Sequence, residues 1–282
     1  MYTDTINRCA AVAARVHRTA SDSPLSFWIG CLMAGAYVGL GIILIFTLGN
    51  LLDPAIRPLV MGATFGIALT LVIIAGAELF TGHSMFLTFG VKSGVIGSRQ
   101  AGWVLLQSWT GNLLGSVAIA ALFWAAGGGT LLADNASLLH KVALAKTTAP
   151  AMVLLAKGVL CNYLVCLAIW MCQRVEGAAR FIAIWWCLLA FIASGYEHSI
   201  ANMTLLALSW FGQHSADFTL AGIGHNLLWV TLGNLVSGVV MMGLGYWYAT
   251  PAAQRPQPQL AAAPATTASH GQPATATAAS AG

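Results

Sequence analysis

The chain has 282 residues, of which 58% are hydrophobic and 7% charged, with twelve Lys and Arg, eight Asp and Glu and a formal net charge of +4. A soluble domain carries roughly 25% charged residues. A mean hydropathy of +0.79 therefore excludes a soluble enzyme, a disordered chain and a nucleic-acid binder, and leaves an all-α polytopic membrane protein.

Residues 1–26 carry Arg8, Arg15 and Arg18 on a mixed pattern, TINRCAAVAARVHRTA. No short apolar core with a small-residue cleavage site follows, so a removable signal peptide is not expected. The segment reads as an amphipathic helix on the cytoplasmic membrane surface that ends before Ser23-Pro24. Four apolar stretches, 27–49, 102–126, 151–172 and 222–249, have the length of ordinary crossings, which need about 20 residues. Residues 59–96 and 181–212 are too long for one crossing and too short for two. As a single helix the first would run roughly 57 Å through a core about 30 Å thick.

Both long stretches contain a polar, glycine-bearing centre, GAELFTGHS (76–84) and SGYEHS (194–199). The economical reading is two helices, the second and fifth, that break at mid-membrane. Irregular backbone at that depth is tolerated only beside a cavity or inside protein, so the breaks point to a pore or binding site. The six-span domain then occupies residues 27–250, and the tail 251–282, rich in Ala, Pro, Thr and Ser, is expected to be disordered and cytoplasmic. Arg8, Arg15, Arg18, Lys92, Arg99, Arg174, Arg180 and Arg255 fall on the side of the termini, against Arg57, Lys141 and Lys146 opposite. That bias places both termini in the cytoplasm.

GNLLGS (111–116) and GNLVSG (233–238) lie 122 residues apart, and Glu78 and Glu197 lie 119 apart. The two offsets suggest a duplicated unit of three helices. Three crossings are an odd number, so the second copy is inverted, with a site at the repeat interface. The competing reading is that GN-small motifs are ordinary close packing of membrane helices.

Ionisable groups inside a bilayer are functional suspects. Here they are Glu78, His83, Lys157, Glu197, His198 and His225, with Lys146 near a rim. His198 is the sharpest, because it sits in the second break and imidazole changes charge near neutral pH. Thr81, in the first break, has a hydroxyl for a permeating oxyanion or for His198. Half-helices resuming near His83 and Ser199 would present free N–H groups and a positive dipole end, which favours an anion. Glu78 and Glu197 are expected to pin the breaks, through loop N–H donors or an Asn. Lys157 has two readings, a carboxylate partner or snorkelling. The six cysteines form no CxxC and no metal spacing with His, so neither metal nor cofactor is expected.

AELFTG (77–82), KGVLCNYLVCLAIWM (157–171) and ASGYEHSIANM (193–203) resemble the formate/nitrite transporter family, over about residues 5–250 and most closely in its bacterial nitrite channel branch. The resemblance implies an aquaporin-like protomer in a homopentamer, multi-pass in the bacterial inner membrane. It implies nitrite foremost among small monovalent anions, with formate or hydrosulfide as the alternative cargo. It marks His198 as the pore histidine and Leu79, Phe80 and Thr81 as a gating loop. Phe65, Leu69, Val165 and Phe191 become constriction positions, with Lys146 in a vestibule and Asn162 and Asn234 near the histidine. Tyr196 stands where Phe also occurs in the family. The mechanism that follows has His198 as counter-charge, or as proton donor to a weak-acid anion crossing the apolar rings. Two rivals remain: a neutral-solute pore of the aquaglyceroporin kind, and a membrane haem protein ligated through His83, His198 or His225.

Overall fold

The computed structural model describes residues 2–132 and 137–256, so most of the 251–282 tail lies outside the described residues. Every regular element in them is helical. The first helix, α1 (Thr3–Asp22), stops where Ser23-Pro24 was expected to stop it, because Pro24 opens the next helix with φ already set. It does not simply float on a surface. Its apolar stripe of Ile6, Cys9, Ala13, Val16 and Ala20 is buried, at helical spacing, against α4 and α2.

Helix α2 (Pro24–Leu51) packs on α5 (Ser98–Ala125), and α8 (Ala151–Cys172) packs on α11 (Leu220–Leu235). Both pairs approach closely through glycine. A Cβ on Gly35 or Gly115 would enter the α2–α5 interface backbone, and one on Gly158 or Gly233 would enter that of α8–α11. Between these pairs lie the two interrupted stretches. The first is α3 (Arg57–Thr70), a π-helical continuation Leu71–Gly76, a break at 77–79 and α4 (Phe80–Lys92). The second is α9 (Ala178–Ala193), a break at 194–198 and α10 (Ser199–Phe211), and α3 packs on α9. Two short helices, α6 (Gly129–Leu132) and α7 (Leu138–Thr148), join α5 to α8. The last stretch runs from α11 through a π-helical segment Val236–Leu244 into α12 (Gly245–Ala249).

Five of these helices, counting each with its continuation, have the length and apolarity to cross a bilayer. α9 and α10, at 16 and 13 residues, are short pieces of one stretch. The protein is a multi-pass membrane protein. The sequence had α4 resuming near His83; it resumes at Phe80, because the carboxamide of Asn112 receives the Phe80 N–H there. All six cysteines are free and buried among apolar side chains.

Candidate pore

The two breaks are built alike. Gly76 and Gly195 adopt φ of 90° and 69°, a region that L side chains rarely enter, and they stand 119 residues apart. The same offset relates Glu78 to Glu197, Leu79 to His198 and Phe80 to Ser199. Leu79 and His198 are both extended residues immediately ahead of a half-helix.

Each break is held by one buried asparagine. Asn112 accepts from the Phe80 N–H at 2.9 Å and donates to the carbonyls of Cys31 at 2.8 Å and Glu78 at 3.0 Å. Asn234 accepts from the Ser199 N–H at 2.9 Å and donates to Gly158 O at 2.8 Å and Glu197 O at 3.1 Å. An open turn at this depth has no water for its backbone groups, so a carboxamide that both donates and accepts supplies them. The Glu78 N–H reaches Gly30 O and the Glu197 N–H reaches Lys157 O. Asn162 lies beside Asn234: its amide donates to Asn234 O at 2.7 Å, and at 3.4 Å to Thr81 O and the Ser84 hydroxyl.

The two carboxylates do not bind loop N–H groups. Glu197 Oε2 takes Lys146 Nζ at 2.8 Å and the Asn202 amide at 2.6 Å, and Asn202 also donates to Asn226. Glu78 takes Arg15 at 2.9 Å on one oxygen and His83 Nε2 at 2.9 Å on the other. Lys146 is thus not a free vestibule charge. A buried carboxylate needs a partner, and this one has claimed it.

Two cavities approach the breaks from opposite ends. One, about 380 Å³, lies on the α7 side and is lined by Arg57, Lys146, Lys157, Glu197, Phe191 and His198 among others. The other, about 480 Å³, lies on the α1 side and is lined by Arg15, Glu78, Leu79, His83, Phe86 and Ile169 among others. Between them is a neck of about 20 Å³, walled by Val38, Phe65, Ala68, Leu69, Leu79, Val165, Leu188, Phe191 and His198. That is room for about one water. His198 borders both the α7-side cavity and the neck, and Leu79 borders both the α1-side cavity and the neck. The equivalent positions of the two breaks are therefore the two ends of the neck.

Among the described residues His198 is the only polar side chain in that wall. Its ring stacks on Phe191 at 6.1 Å between centroids, and Phe191 meets Phe65 edge-on at 5.5 Å. As the N-cap of α10, its Nδ1 accepts from the Ala201 N–H at 3.2 Å. In the neutral ring Nε2 then carries the proton, and it donates to Thr81 Oγ1 at 3.0 Å. Thr81 sits behind the ring, in the first turn of α4, and does not border the neck. Phe80 does not border it either: with its N–H tied to Asn112, its side chain turns into the packed core. Of the sequence-predicted set, Phe65, Leu69, Leu79, Val165, Phe191 and His198 converge on one neck. Thr81, Asn162 and Asn234 support it from behind.

Arg15, Asn112 and Arg57 were not expected in these places. The sequence signal for Asn112 was the repeated GN pair; for Arg15 there was none. His83, His198 and His225 bond three different partners, Glu78, Thr81 and Ala149 O. Among the described residues no group of three or more His, Cys, Asp or Glu is placed to hold a metal ion.

The family model for formate/nitrite transporters matches residues 5–248. The chain belongs to the formate/nitrite transporter family. A nitrite transporter NirC of Escherichia coli (strain K12) is 74% identical over 257 residues, covering 91% of this chain and 95% of the relative. A solved structure titled FNT family ion channel superposes with a TM-score of 0.87 at 73% identity, covering 88% of this chain and 99% of that one. A pentameric formate channel with formate bound superposes with a TM-score of 0.69 at 25% identity, covering 82% and 98%.

Proposed function

We propose that the protein carries nitrite, and related small monovalent weak-acid anions, across the bacterial inner membrane through the neck of each protomer of a homopentamer. The observation that carries the reading is an imidazole at the N-cap of a half-helix, between a cation-lined cavity and an otherwise apolar neck. The identity to a nitrite transporter favours nitrite over formate, and the pentameric relative supports the assembly. The matched offsets and the twin asparagine clamps support two inverted repeats of three spans, and the excess of Lys and Arg on the side of the termini supports a cytoplasmic placement of both.

An anion entering the α7-side cavity meets Arg57 and Lys157 beyond the Lys146–Glu197 pair. Entering the neck bare would cost several kcal/mol in lost hydration. His198 lowers that cost. The capped, neutral ring holds its Nε2–H on Thr81 Oγ1 and exchanges that partner for the anion, in place of a water. A second proton has to displace the Ala201 N–H from Nδ1, at the positive end of α10, so a charged ring is a transient species rather than a standing counter-charge. A proton taken from the cavity side makes that species. Its transfer to the anion returns the neutral ring and yields the neutral acid, which passes Leu79, Phe65 and Leu69 without a charge. Transport is then linked to protons.

His198→Asn tests this cleanly, because Asn is itself a strong N-cap and keeps the bond to Ala201. The expected result is an intact oligomer with nitrite uptake into proteoliposomes reduced by at least an order of magnitude. Wild-type rates in that variant across all pH values would refute the role.

A further inference from the structure

The two cavities differ in what holds their glutamates. On the α7 side, Glu197 is held by the Lys146 ammonium and by the neutral amide of Asn202. On the α1 side, the residue equivalent in spacing to Asn202, five after the glutamate, is His83. A carboxylate only accepts, so the His83 Nε2 bonded to Glu78 carries the proton. Nδ1 is then a lone pair, and it is buried without a hydrogen-bond partner among the described residues. Phe27 stacks on the same ring at 6.3 Å.

The charges around this ring are few. α1 supplies Arg15, the break supplies Glu78, α2 supplies the Cys31 thiol, and α8 supplies the Cys172 thiol on the cavity wall and the Cys166 thiol on Thr81 O. Arg99 of α5 lines a separate cavity with His17, Lys157 of α8 lines the α7-side cavity, and His225 of α11 bonds Ala149 O. Lys92, at the far end of α4, lies over Trp247 and Tyr248. The π-helical segment 236–244 has no ionisable residue. Arg15 and Glu78 therefore cancel on the α1-side wall, with Arg8 bonded to Gln173 O at its edge, whereas Arg57, Lys146 and Lys157 outnumber Glu197 on the α7-side wall. A proton on the His83 ring adds a positive charge to the α1-side cavity.

We infer that His83 is the proton-operated charge switch of the α1-side cavity, raising the attraction of that mouth, and not of the other, for the anion. This rests on the reading of anion passage given above. No covalent step is involved: one proton is gained and lost by the His83 ring, which lines the cavity. Imidazole ordinarily changes charge between about pH 5 and 8, and one unit charge within a Debye length raises the local anion concentration severalfold.

The test compares right-side-out and inside-out membrane vesicles, which turn opposite mouths to the bath. Exchange of isotopically labelled nitrite at equal concentrations inside and out is followed while the bath is acidified from about pH 7.5 to about pH 5.5. The background of vesicles lacking the protein is subtracted. In the wild type, acid at the α1-side mouth should speed exchange about threefold, while acid at the α7-side mouth acts through His198. His83→Asn, which copies the amide of the other break, should remove the acid response of the vesicles that turn the α1 side to the bath and leave that of the other kind as in the wild type. Asn202→His should enlarge the acid response of that other kind. The inference is overturned if H83N keeps the wild-type response in both kinds of vesicle. If H83N does not assemble, as judged by size exclusion, an N202H with the wild-type response in both kinds overturns it instead. Absence of any protein-dependent nitrite exchange sinks the proposed function itself, whereas wild-type exchange that acid at the α1-side mouth leaves unchanged sinks this inference alone.

Discussion

At the residue scale the site is a set of buried polar groups that satisfy one another, and Lys146–Glu197 shows why such groups are hard to replace singly. The lysine side chain is 15% exposed and the glutamate side chain 4%. The pair's net contribution to stability is small, because desolvation offsets attraction, yet removal of one member strands a charge at a cost of about 3–5 kcal/mol. Lys146→Met should therefore lower the thermal midpoint of the purified oligomer sharply. Glu197→Gln in the same chain should recover most of the loss, since the glutamine keeps an oxygen to accept from Asn202. Additive losses in a double-mutant cycle would show that the two side chains act independently. Tyr196, next to this pair, lines the α7-side cavity.

At the element scale the fold depends on two short turns that no helix rule predicts to be stable. Gly76 and Gly195 let the chain leave one half-helix and enter the next, and Asn112 and Asn234 each make three hydrogen bonds to backbone, two of them at the break. Asn112→Ala and Asn234→Ala should each destabilise the assembled protein by about 2–4 kcal/mol, the penalty for leaving buried backbone groups unpaired. The two losses should be of similar size if the breaks are true equivalents; thermal unfolding of the detergent-solubilised oligomer measures both. Much of this architecture was legible beforehand. The two over-long apolar stretches, their polar centres and the GN repeat located the breaks to within a few residues, because hydrophobic length and glycine are local signals. The π-helical segments 71–76 and 236–244 were not legible. They arise from packing, as where the backbone at Gly238 lies directly against Ser84, and leave no periodicity of their own. Arg15 was missed for a related reason: its partner Glu78 is 63 residues away, and α1 read as an amphipathic helix on the membrane surface. His198 was recognised as exceptional, but its capping bond was not, since His is not a favoured N-cap.

At the scale of the whole molecule, two wide cavities are separated by a neck holding about one water, and the neck's two ends are equivalent residues of different chemistry, Leu79 and His198. A barrier of this kind stops ions because the wall cannot replace hydration, and it stops bulk water because there is no room for a continuous file. The two functions are separable at opposite ends. Leu79→Ala removes apolar bulk on the α1 side and leaves the imidazole and its cap untouched. Leu79 is buried among core side chains, so the truncation should cost about 2–5 kcal/mol of stability, which the oligomer has to tolerate for the test to be made. In proteoliposomes subjected to an osmotic step, the L79A variant should then shrink severalfold faster than the wild type, because the opened neck joins the two cavities by water. Its nitrite flux should depend less on pH, since an anion that keeps its hydration no longer has to be neutralised. His198→Asn should stay as water-tight as the wild type while losing nitrite. If L79A shrinks no faster than the wild type, the neck between Leu79 and His198 is not the barrier, and the path across the protomer has to be sought elsewhere.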